Sequence, residues 1–108
     1  MANALDDVRN TFLTLDQHYN MLLAACPTQS DRDALGVQYA TAQKNYYACE
    51  NQFLAADDPA VASVCEQLQA ANKVVSQAEK EMGTITKVMD HINTALNLGQ
   101  QLIAKAAL

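Results

Sequence analysis

Glu81-Met82-Gly83-Thr84-Ile85 is the stretch on which the architecture turns. Before it, Val61, Val64, Leu68, Ala71, Val75, Ala78 and Met82 recur at alternating spacings of three and four. After it, Ile85, Met89, Ile92, Leu96, Gly99, Ile103 and Ala106 continue the pattern without a change of phase. Such spacing places every one of these residues on one face of a helix. Read as phase, the stretch predicts one continuous helix from 59 to about 106. A glycine inside that helix costs only ~1 kcal/mol relative to alanine, so Gly83 does not forbid it. Read as punctuation, Gly83 closes one helix and Thr84 caps the next. The unbroken phase favours the continuous helix, whereas nearly equal helix lengths favour the turn.

The two readings differ in what covers the apolar stripe. Residues 84–107 carry only Lys87, Asp90 and Lys105 as charges. A helix of that composition projecting into water would expose a large apolar patch. The continuous helix therefore buries Ile85, Met89, Ile92, Leu96 and Ile103 on a second copy, giving a homodimer. The turn instead buries them against residues 59–81, with Leu96 beside Ala71 and Gly99 beside Leu68.

Two further breaks lie upstream. Pro27, in Cys26-Pro27-Thr28-Gln29-Ser30, cannot continue a helix. Ser30 then reads as an N-cap, with Asp31 and Asp33 in the first turn, where the helix dipole favours acids. In Asp57-Asp58-Pro59, Asp58 reads as N-cap and Pro59 as the first helical residue. The expected helices are about 4–26, 31–56 and 59–106, the last with a possible break at 83–84.

The first helix carries Leu5, Val8, Phe12, Leu15, Tyr19, Leu22 and Cys26 on one seam. The second carries Leu35, Tyr39, Ala42, Tyr46, Cys49, Phe53 and Ala56. Folding the first on the second at Pro27 sets Leu22 opposite Leu35, Tyr19 opposite Tyr39 and Phe12 opposite Tyr46. Folding the second on the third at Asp57-Asp58 sets Phe53 opposite Val61, Tyr46 opposite Leu68 and Tyr39 opposite Val75. The fold class is all-α: an antiparallel helical bundle with coiled-coil-like heptad seams, forming one domain over 1–108. It has three helices with a long third, or four if the chain turns at Gly83.

Half the residues are apolar and 18% are charged, which argues against disorder. The net charge is −5, and the seven basic residues are scattered, so nucleic acid is not expected as a partner. No run of about 18 apolar residues occurs, and a membrane span is not expected. Met1 is followed by polar and acidic residues rather than a secretory leader, so a cytoplasmic location is expected, with leaderless export left open.

Chemistry-bearing residues are few. Cys49 and Cys65 are the candidate disulfide pair, closing a loop of ~15 residues worth ~3 kcal/mol in the entropy picture. The competing and favoured reading has Cys26, Cys49 and Cys65 all reduced and buried. His18 and His91 lie beside the seams, outside any Glu-x-x-His or His-Glu-x-x-His pattern, so no metal is expected. Glu66, Glu79 and Glu81 share one helix without forming a converging acid–base pair. Catalytic residues and cofactors are therefore not expected. Tyr19, Tyr39 and Tyr46 fall on seams, where ordinary core packing competes with a tyrosine-lined pocket.

Apolar residues off the seams carry more. Leu13, Tyr47 and Leu54 are poorly explained by a widened core stripe and are candidates for a partner surface. The expected function is a non-enzymatic helical protein–protein interaction module of adaptor, chaperone-like or immunity-like type. It self-associates through 84–107, acts on another protein, or both. The alternative is a bundle that binds a small molecule or cofactor among the tyrosines.

Overall fold

The computed structural model describes residues 4–50, 59–81 and 84–107. Among these, the chain forms α1 (Ala4–Ala25), α2 (Gln29–Glu50), α3 (Pro59–Glu81) and α4 (Ile85–Ala107). The residues that packed helices require are in place: apolar positions at three–four spacing and helix formers between them.

The continuous third helix does not form. α3 ends at Glu81 and α4 begins at Ile85. The two are packed on each other along the most extensive helix pair of the bundle. Thr84 starts α4, its carbonyl accepting from the amides of Lys87 (3.0 Å) and Val88 (3.3 Å). Unbroken phase failed as a discriminator because each of two antiparallel helices needs the same face that one long helix would have shown. Burial within the chain covers the stripe without a second molecule.

The helix order around the bundle also departs from expectation. α1 packs on α2 and α3, and α4 packs on α3 and α2. No α2 Cα lies within 8 Å of an α3 Cα among the described residues, so these two sit on a diagonal. The expected facing of Tyr46 with Leu68 and of Tyr39 with Val75 is therefore replaced. Phe53, its third pair partner, lies outside the described residues, as do Ala56, Asp57 and Asp58. Heptad seams report which face of a helix is buried, and leave open which helix buries it.

Contacts across the seams define directions. Phe12 meets Tyr46 and Tyr19 meets Tyr39, so α1 and α2 run antiparallel. Thr11 meets Asn72 and His18 meets Glu79, so α1 and α3 run parallel. Gln38 meets Met89 and Asn45 meets Leu96, so α2 and α4 run parallel. The core runs the length of the bundle through Leu15, Leu22, Leu35, Leu68, Ile92 and Leu102, all essentially fully buried.

The cap of α2 is Thr28 rather than Ser30. Its Oγ1 accepts the Asp31 amide at 3.1 Å, and its carbonyl accepts that of Arg32. Thr28-Gln29-Ser30-Asp31 has a threonine followed three residues later by an acid, the pattern of a helix start, two residues ahead of the serine.

Candidate functional site

The α1–α2 seam is aromatic. Tyr47 stacks on Tyr46 (ring centroids 5.6 Å apart) and Tyr46 on Phe12 (5.8 Å), while Phe12 meets Tyr39 (5.5 Å) and Tyr39 meets Tyr19 (4.6 Å) with the rings tilted. Heptad positions 12 and 19 on α1 and 39 and 46 on α2 bring four of these rings together. Each neighbouring pair contributes about 0.5–1.5 kcal/mol beyond its buried area. Phe12, Tyr19, Tyr39 and Tyr46 are only half-buried, so the ladder lies along the seam's outer edge. The Tyr39 hydroxyl donates to Asp16 Oδ1 at 2.6 Å. That bond to an acid raises the Tyr39 pKa above its ordinary value.

Two exposed apolar side chains adjoin the ladder, Tyr47 as its end ring. Leu13, next to Phe12, is 43% exposed, and Tyr47, next to Tyr46, is 52% exposed. Both belong to the partner-surface candidates read from sequence; Leu54, the third, lies outside the described residues. The stripe on α4 fares differently. Ile85, Ile92 and Leu96 are buried in the chain's own core, and Met89 and Ile103 are half-buried. A second copy has no access to the first three in this fold. Met21, Val37 and Val74 are also exposed.

The parallel seams are polar. Gln38 and Asn45, seven residues apart on α2, send their side-chain amides to the carbonyls of Met89 (2.9 Å) and Leu96 (3.3 Å), seven apart on α4. Each of those carbonyls has a second lone pair free for such a bond. Sliding the helices past one another would strand both buried amides. Gly99 completes the fit, since a Cβ there would lie 3.2 Å from Asn45 Nδ2.

On the α1–α3 seam, Thr11 Oγ1 donates to Asn72 Oδ1 (2.6 Å), and Asn72 Nδ2 donates to the Asp7 carbonyl (2.9 Å). Gln69 Nε2 donates to Asp7 Oδ2 at 3.1 Å. Burial pushes the Asp7 carboxyl upward despite that bond. One turn from the far end, Glu79 is fully buried, and its Oε2 stands 2.7 Å from His18 Nδ1. The same nitrogen lies 3.1 Å from the Thr14 carbonyl. Burial raises the Glu79 carboxyl to about 7, against the opposing pull of His18. A neutral carboxyl can donate its proton to Nδ1, whereas an ionised one needs the imidazole to carry it. His91 is exposed on α4.

Spacing carried a signal for these polar residues that residue type alone conceals. Gln38 and Asn45 form one seven-residue step, and Cys65, Asn72 and Glu79 form two. Each set marks a second buried face beside the apolar stripe.

Cys26, Cys49 and Cys65 are buried free thiols. Cys49 on α2 and Cys65 on α3 stand on the diagonal, their Cα atoms more than 8 Å apart. A disulfide needs about 4.4–6.8 Å, so the candidate pair is beyond bridging reach in this fold. Burial, followed by the nearby Asp7 charge, pushes the Cys65 thiol up to about 11.

Among the described residues, no group of three or more His, Cys, Asp or Glu is arranged to hold a metal ion. No described helix is long and apolar enough to cross a membrane. The chain matches no protein-family model, no curated protein and no solved structure.

Proposed function

We propose that this chain is a non-enzymatic helical module that binds another protein through its α1–α2 face. The observation carrying the proposal is the aromatic ladder, whose rings lie half-open along the seam with Leu13 exposed beside it and Tyr47 exposed at its end. Tyrosine is favoured at protein interfaces because a rigid, amphipathic ring contributes large contact area at low entropic cost. Ring-to-ring contact along the seam holds these side chains in place before a partner arrives, which reduces the ordering cost of binding. The apolar face of α4 is used internally, so the module offers α1–α2 instead of residues 84–107.

Site-specific photo-crosslinking in the native host tests the proposal. A photoreactive phenylalanine at Tyr47 is expected to capture a discrete protein, which Leu13→Ser then abolishes without changing the helical circular dichroism. The same probe at Lys87, on the exposed side of α4, serves as the reference. Equal capture from both positions, or capture indifferent to Leu13→Ser, refutes the assignment of this face.

A further inference from the structure

The α1–α3 seam is fastened differently at its two ends. Toward the start of α1, Thr11, Asn72, Asp7 and Gln69 share three hydrogen bonds (2.6, 2.9 and 3.1 Å). Seven residues further along both helices the fastening is one pair, His18 and Glu79, with Oε2 2.7 Å from Nδ1. Glu79 is fully buried, and its Oε1 has no partner among the described residues.

Little else charged faces that carboxyl. On α1, Asp7 is eleven residues before His18, roughly 16 Å away at about 1.5 Å per residue. On α4, which packs on α3 from another side, the buried Ile85, Val88 and Ile92 are apolar, and Lys87, Asp90 and His91 are exposed. Lys80 and Glu81 of α3 are exposed as well. His18 alone draws the carboxyl toward ionisation, and burial outweighs it. One proton between Oε2 and Nδ1 leaves the pair neutral overall, whichever atom carries it. Without that proton a net negative charge lies in the core, with one N–H at most for two oxygens. An ion so poorly paired favours hydration over burial.

The same stretch of α1 also holds α2. The Tyr19 ring meets Tyr39 at 4.6 Å, and Asp16 accepts the Tyr39 hydroxyl at 2.6 Å.

We propose that His18 and Glu79 form a proton-operated latch: the shared proton fastens the later half of α1 to α3, and its loss lets that half lift away, drawing Tyr19 and Asp16 off Tyr39. The hydrogen bonds around Asn72 hold the other end. The latch is closed on the acid side of about pH 7 and opens as pH rises through it. It stands on this geometry whether or not the aromatic ladder binds a partner.

Two spin-label pairs on the full chain test it, measured by pulsed electron resonance at pH 6 and pH 8.5 in a sample diluted with unlabelled protein. One pair replaces Gln17 and Lys80 at the latch end; the other replaces Asn10 and Lys73, one heptad back, and all four positions are exposed. The latch-end distance is expected to lengthen at pH 8.5 and the other to stay fixed, with Glu79→Gln holding both short. Near-ultraviolet circular dichroism follows the same event, because all four tyrosines lie in the ladder and the chain has no tryptophan. Its signal is expected to change near pH 7 in the wild type and in His91→Gln, while the far-ultraviolet helix signal holds. A latch-end distance equal at both pH values, equal lengthening of both pairs, or lengthening that survives Glu79→Gln overturns the proposal. So does loss of helix signal in step with the near-ultraviolet change, which marks global unfolding.

Discussion

Replacing Glu79 by glutamine should stabilise the protein at pH 8 and change it little at pH 4. Glu79 is fully buried, faces His18 and holds its proton up to about pH 7, against 4.5 for an ordinary glutamate. The folded chain therefore binds that proton more tightly than the unfolded chain does. The resulting stability is fully present below pH 4.5 and is lost as pH rises through 7. At about 1.4 kcal/mol per pH unit, the ionised carboxylate costs the fold on the order of 3 kcal/mol at pH 8. Glutamine keeps the shape, carries no charge and can donate to His18 Nδ1. For a chain of this size, that difference corresponds to a rise in Tm on the order of 10 °C. Thermal unfolding followed by circular dichroism at pH 4 and pH 8 measures it. Equal shifts at both pH values, or a variant less stable at pH 8, would refute the reasoning. The second outcome would mean that the charged pair with His18 outweighs the desolvation of Glu79.

Two glycines should respond oppositely to alanine. At Gly36 the new methyl meets Tyr19 Oη at 3.6 Å, an ordinary contact, so helix propensity wins and stability rises by up to ~1 kcal/mol. At Gly99 it meets the buried, hydrogen-bonded Asn45 amide at 3.2 Å, so Gly99→Ala should lower Tm. Ile92→Asp places an unpaired charge where the side chain is 1% exposed, and should unfold the chain rather than merely change its mass on size-exclusion chromatography. In the native protein at pH 8, Cys49 and Cys65 should resist thiol reagents and form no mutual disulfide under mild oxidation, and all three thiols should react once the chain is denatured. Rapid native labelling of Cys65, or a mass loss of two hydrogens traced to that pair, would contradict their placement.

Much of this architecture is legible in spacing. The pairing of Phe12 with Tyr46 and of Tyr19 with Tyr39 follows from folding two heptad seams at Pro27 and is found in the structure. Pro59 opens α3 as its fixed backbone angle favours. What spacing leaves open is which helices become neighbours. An apolar stripe reports that a face is buried and says nothing of what buries it. Ile92 and Leu96 are therefore equally compatible with a second chain and with α3. The polar residues resolve the order, because hydrogen bonds are directional: Gln38 and Asn45 need carbonyls a fixed distance away, and α4 supplies them. Residue type alone conceals them, because glutamine and asparagine on a helix usually face water. Leu13 and Tyr47 were legible as exposed because no seam accommodated them.

The fold of α4 back onto α3 within one chain is tested most directly by a distance. Spin labels replacing Gln67 and Gln101, both exposed, can be measured by pulsed electron resonance in a sample diluted with unlabelled protein, so that only intrachain pairs report. Antiparallel neighbours predict a separation of roughly 20 Å, set by helix packing distances of about 8–10 Å plus the label arms. One continuous helix across Gly83 would place the labels about 50 Å apart, at about 1.5 Å per residue. That longer distance would return the apolar face of α4 to an interface between copies.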